Sequence, residues 1–205
     1  MTITNIIIGF TVLISLLAMS REKLMQSLMM NPYRIKRNKE YYRFLTSGFI
    51  HIDHMHLLFN MFSFYFFGTV IERIFLQIFD TAGGFCFVAL YLLAIVVSDL
   101  TTYFKQKDNP NYNSLGASGG VAAVIFAFII FEPLQEICFF IAICMRGFIA
   151  GILFLAFSYY QGRKSNSSIN HEAHLYGALF GLLFCVVVYP DAIGNFIEKI
   201  RTWAF

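Results

Sequence analysis

Ser118 stands in the run Gly116-Ala117-Ser118-Gly119-Gly120, and His174 in Ala173-His174-Leu175-Tyr176-Gly177-Ala178-Leu179-Phe180-Gly181. A serine hydroxyl is a poor nucleophile until a base takes its proton, and the usual base is a histidine within hydrogen-bond reach. Gly119, Ala123 and Ala127 form one small-residue stripe after Ser118, and Gly177 and Gly181 form another after His174. Helices with such stripes approach closely, so the two side chains can meet. His56 and Asn60 are four residues apart, which puts them on one helix face. A tetrahedral intermediate of acyl transfer needs donors aimed at its oxyanion. The Asn60 amide, the His56 ring and the free N–H groups of a helix start at Gly116, Ala117 and Ser118 are the candidates. No acidic third member is evident in the apolar segments, so the pattern reads as a Ser118–His174 dyad.

The elements that must position these residues are membrane spans. Of the 205 residues, 58% are apolar and only 13% charged, about half the charged share of a soluble domain. Mean hydropathy is +0.66. With 25 Phe and 11 Tyr, the chain cannot be disordered or collagenous. A net charge of +3 supports no nucleic-acid partner. Cys86, Cys138, Cys144 and Cys185 lie in or beside apolar runs with no CxxC pair, and they read as small buried hydrophobes outside any disulfide or metal site. The first charge is Arg21, so the opening apolar run lacks the basic start of a cleavable signal and reads as a span.

Crossing a bilayer takes about 20 apolar residues in helix. The expected fold is an all-α polytopic bundle forming a single membrane domain over 1–205, with six spans near 3–19, 55–71, 81–97, 115–131, 146–160 and 173–189. A partly buried connector is expected over Ile137–Met145, and Pro133 and Pro190 close the fourth and sixth spans. The loop 20–54 holds seven of the fifteen Lys and Arg residues interleaved with tyrosines, a composition suited to a membrane interface and its lipid headgroups. No internal repeat is visible, which gives an inverted-repeat transporter no support.

At these residues the chain resembles the rhomboid family of intramembrane serine proteases. Gly116-Ala117-Ser118-Gly119 is similar to its GxSG nucleophile motif, His174 with Gly177 and Gly181 to its base helix, and His56 with Asn60 to its HxxxN oxyanion pair. His51, Tyr42-Arg43 and Glu72-Arg73 also fall where family residues are expected, and the ordered set covers nearly the whole chain. The resemblance implies a bacterial-type six-helix fold and a serine endopeptidase that cleaves transmembrane segments of single-span proteins. It implies neither cofactor nor metal. The active site would open to the non-cytoplasmic side of a bacterial inner membrane. The positive-inside rule applied to loop 20–54 votes the other way; the family topology is preferred because an interfacial loop also binds outer-leaflet anionic headgroups. Ala122 stands where many members carry an aromatic ring stacked on the base, and Tyr176, beside His174, is the candidate to replace it.

Plainer readings stand beside these. Ser118 alone would be a helix-start serine, and His174 and Asn60 alone would be interhelical hydrogen-bonders. His51, Asp53, His54 and His56 are too close in one segment to converge on zinc without a special turn, and His171-Glu172-Ala173-His174 is one residue short of the HExxH spacing. Arg43 is expected to brace the first loop or to sit at the headgroups, and Glu72 with Arg73 is expected to be structural. Two rival functions are a catalytically inactive rhomboid-like binder of transmembrane segments and a transporter.

Overall fold

The computed structural model describes residues 1–139, 143–164 and 170–204. The element order is α1 (Ile3–Met19), α2 (Glu22–Leu28), α3 (Pro32–Asn38), α4 (Arg43–Thr46), α5 (His54–Phe79), α6 (Ala82–Gln106), α7 (Ser118–Phe131), β1 (Glu136–Phe139), β2 (Ile143–Arg146), α8 (Gly147–Gly162), α9 (His171–Val188) and α10 (Asp191–Ala204). The expected apolar helices α1, α5, α6, α7, α8 and α9 are all present. By length and composition α5, α6 and α9 suffice to cross a membrane, whereas α1, α7 and α8 are shorter apolar helices. The bundle is a polytopic membrane fold with α7 at its centre, flanked by α5, α6 and α9.

Two helices run well past the expected span ends at 71 and 97. α5 passes through Glu72-Arg73 to Phe79 because the Glu72 carboxylate is used inside the bundle. It accepts the Ile3 and Thr4 backbone N–H groups at 2.7 and 2.8 Å and the Thr4 hydroxyl at 2.6 Å. An anion at a helix N-terminus satisfies donors that the helix itself leaves free. Glu72 therefore staples the start of α1 to the middle of α5. α6 likewise passes Asp99, which is buried and accepts from the Ser47 hydroxyl at 3.4 Å.

The basic loop 20–54 is folded. Asn31 caps α3, its side chain accepting from Arg34 N–H at 2.8 Å, and Pro32 opens that helix. Arg43 is fully buried: it donates to the Gln26 and Met29 carbonyls at 2.9 and 2.7 Å and to Glu40. Burial would raise the Glu40 carboxyl, but hydrogen bonds from Asn38, Arg43 and Arg34 hold it down at about 2. Arg43 thus braces the loop, one of the two roles expected for it.

The connector differs from expectation. Residues 140–142 of the expected Ile137–Met145 segment lie outside the described residues. The remainder forms an antiparallel hairpin in which Glu136 faces Arg146 and Cys138 faces Cys144. Cys138 and Cys144 are joined in a disulfide, against the reading of every cysteine as a buried hydrophobe; Cys86 and Cys185 are free. Directly opposed positions of an antiparallel pair bring Cβ atoms close enough to bond. After Pro190, α10 returns along the bundle end, its Lys199 donating to the Phe131 carbonyl at 2.6 Å and pairing with Glu132.

Candidate functional site

Ser118 is the first residue of α7, and no side chain caps that helix start. Its first-turn N–H groups therefore lack helical acceptors. The turn that delivers it is held from several sides. Gly116 has φ +123°, a left-handed conformation that favours glycine, and its N–H donates to the Ser47 carbonyl at 2.9 Å. A Cβ there would lie 2.7 Å from the His56 ring, so His56 packs directly on the turn before Ser118. Ser114 and Met30 exchange backbone hydrogen bonds at 2.9 and 3.1 Å, and the Asn31 amide donates to Asn113 at 2.9 Å. The basic loop is thus the scaffold on which the turn before Ser118 is built.

His51 completes that scaffold, and its protonation follows from its partners. Ala117 N–H donates to His51 Nε2 at 3.3 Å, so Nδ1 carries the proton and donates to the Ser15 hydroxyl at 2.9 Å. Ser15 in turn donates to the Phe49 carbonyl at 3.0 Å. Every group in this chain is used once. Burial, helped by the neighbouring His56 ring and opposed by Asp53, pushes the His51 imidazole down to about 3, so it stays neutral. The rest of the histidine-rich segment has separate work: the Asp53 carboxylate caps α5 by accepting His56 N–H at 2.7 Å. Gly116 and Ala117, counted with the oxyanion group on sequence grounds, have their N–H groups occupied by Ser47 and His51.

His174 lies in the first turn of α9. Asn170 caps that helix, accepting Ala173 N–H at 3.1 Å, and its amide donates to Thr102 Oγ1 of α6 at 2.8 Å. The Lys105–Glu172 ion pair ties the same ends together. Below this, the small-residue stripes meet as expected. A Cβ on Gly177 would overlap the Gly119 carbonyl, and one on Gly181 would overlap the Ala123 carbonyl. Both contacts advance four residues in the same direction, so α7 and α9 are parallel. Ser118, one residue before Gly119, and His174, one turn before Gly177, lie at the same end of this contact. The hydroxyl and the imidazole are not hydrogen-bonded to each other among the described residues; such pairs often tighten only with substrate bound.

Asn60 is buried and spends one amide hydrogen on the His56 carbonyl at 2.9 Å, and its second hydrogen has no partner among the described residues. Beside Ser118 lies a small cavity with about 20 Å³ of room for water, enough for one molecule, walled by Ser98, Asp99, Ser114 and Asn170. Asp99 in this wall lies just past the expected end of the third span at 97, and its sequence position gave no sign of a place in the site. Tyr176 does not take the place of the aromatic absent at Ala122. The ring stacked on His174 is Phe154 of α8, with centroids 6.3 Å apart and planes 25° apart.

A bundle of apolar helices with a serine, a histidine and a polar cavity gathered at one end is an integral membrane protein with a built interior site. The family model described as the rhomboid domain matches residues 38–191, and the chain belongs to the rhomboid family. It is 30% identical over 168 residues to a RHOMBOID-like mitochondrial protein of Arabidopsis thaliana, covering 75% of this chain and 49% of that one. It is 28% identical over 166 residues to the rhomboid protease GlpG of Haemophilus influenzae, covering 77% of this chain and 74% of that one. It is 31% identical over 174 residues to a presenilin-associated rhomboid-like mitochondrial protein of Rattus norvegicus, covering 78% of this chain and 41% of that one. The chain thus spans about half or less of the mitochondrial relatives' length. The relatives come from both bacteria and mitochondria, and the Haemophilus influenzae protein is a protease by name.

Proposed function

We propose that this chain is a serine endopeptidase that cleaves transmembrane segments of single-span membrane proteins with a Ser118–His174 dyad. The observation that carries the reading is the parallel contact of α7 and α9 through Gly119, Ala123, Gly177 and Gly181, which gathers the two side chains at one end. His174 takes the Ser118 proton as Oγ attacks the scissile carbonyl, then returns it to the leaving amine. The oxyanion is met by the Ser118 N–H, the free hydrogen of the Asn60 amide and the His56 ring. Water reaching the cavity beside Ser118 then hydrolyses the acyl-enzyme, and irregular backbone at membrane depth is tolerated where it lines such a cavity. No cofactor or metal enters this scheme.

The whole chain, 1–205, acts as one membrane domain of the bacterial six-span type. It lies in a bacterial inner membrane, with the Ser118 end facing the non-cytoplasmic side and the basic loop against that leaflet's anionic headgroups. The test is labelling by a serine-reactive phosphonate in lipid. Wild type is expected to label at Ser118, His174→Ala to label at least about 100-fold more slowly, and Ser118→Ala not to label. A His174→Ala variant that labels as fast as wild type removes the base.

A further inference from the structure

The glycine and alanine contact that lets α7 and α9 meet has a cost for the base. Gly119, Ala122, Ala123 and Gly177 offer no side chain large enough to flank the His174 imidazole. A histidine ring turns freely among its rotamers unless something packs against it, and a general base must hold one direction. The flanking groups come from elsewhere. Phe154 of α8 stacks on His174, and His171 meets the same ring edge-on, with centroids 5.9 Å apart and planes at 82°. Phe154 is itself held by Phe126 of α7, at 5.5 Å between centroids. One turn further along α8, Phe157 packs edge-on against His171 at 5.5 Å. The pairs 154 with 174 and 157 with 171 advance in opposite senses, as antiparallel neighbours must. They form two steps of one ring ladder, and its inner step ends on the base.

We propose that Phe154 is a positioning residue: its ring holds the His174 imidazole in the orientation that faces Ser118. This rests on the dyad reading given above. The nucleophile is thus aimed by the basic loop and the base by α8, a helix that packs chiefly on α9. Phe157 acts on His171, one step removed from the reacting atoms.

The experiment is steady-state cleavage of a model single-span substrate by the full chain in liposomes. Phe154→Leu, Phe154→Tyr and Phe157→Leu are compared with wild type, and each variant's thermal unfolding is recorded alongside. Phe154→Leu is expected to lower kcat about 3- to 10-fold, the range an aromatic pair is worth, with KM within twofold. Phe154→Tyr, which keeps the ring, should stay within about twofold of wild type in both. Phe157→Leu removes a ring from the same helix at a more exposed position, where the ring meets His171 and not His174, and should lower kcat by less than about twofold. Unchanged kcat in Phe154→Leu overturns the proposal. So does an equal fall in the two leucine variants, which would mark general loosening of α8. If wild type is as inert as Ser118→Ala, the dyad reading itself falls and this inference falls with it.

Discussion

Replacing His51 with leucine tests whether the turn before Ser118 is held as described. The change keeps the volume close to that of the ring but removes the acceptor for Ala117 N–H and the donor to Ser15. An unpaired buried N–H costs about 1–3 kcal/mol. Ser15 keeps its bond to the Phe49 carbonyl, so its loss adds only about 1 kcal/mol. Together the variant should be less stable by roughly 2–4 kcal/mol. Turnover should fall by more than about 10-fold even where the variant stays folded, because the turn before Ser118 is no longer pinned. The pH dependence gives an independent sign. His51 is held at about 3 against its ordinary 6.5, so the unfolded chain binds the proton first. The stability it contributes is fully present above pH 6.5 and is lost as pH falls from 6.5 towards 3. His51→Leu should therefore show a shallower fall in stability across that window. The assay is denaturant unfolding in micelles over that pH range, with substrate turnover in lipid. A variant as stable and as active as wild type, with the same pH slope, would refute the reasoning.

Two further outcomes follow from the packing. Gly177→Val places side-chain atoms against the Gly119 carbonyl and must push α7 from α9; turnover should drop about 100-fold, the cost of misplacement near 1 Å, and wild-type turnover would contradict the close contact. In the orientation proposed above, with the Ser118 end outside, the hairpin end faces the cytoplasm, where reductants open most disulfides. In a variant whose only cysteines are Cys138 and Cys144, both thiols should react with a membrane-permeant maleimide in intact cells and pair after mild oxidation. A pair that stays closed in cells until reductant is added would reverse the orientation.

The placement of the candidate residues was legible because it follows from short, locally spaced signals. Ser118 and His174 each precede a small-residue stripe, and a stripe is a statement about which helix faces can touch. Helix ends were less legible where a charge is satisfied by something distant. Glu72 looks like a boundary until the start of α1, 68 residues away, is seen to donate to it. Asp99 was misjudged for the same reason, its partner Ser47 being 52 residues off. The hairpin carries no turn dipeptide among its described residues, so Cys138 and Cys144 read as ordinary core positions. α10 is amphipathic and poor in mean hydropathy, so a search for long apolar runs passes over it. Phe154 was invisible because α8 is apolar on many faces, and only its rotation against α9 selects the ring that meets His174. The basic loop showed its charge but not its scaffold role, which depends on backbone groups that no residue type announces.

The central claim is tested most directly by cleavage of a model single-span substrate in liposomes, wild type beside Ser118→Ala, with both shown to be equally folded. Wild type is expected to release a fragment cut within or next to the transmembrane segment, and Ser118→Ala none. Equal cleavage by the two proteins, or none by either, would contradict a serine intramembrane protease.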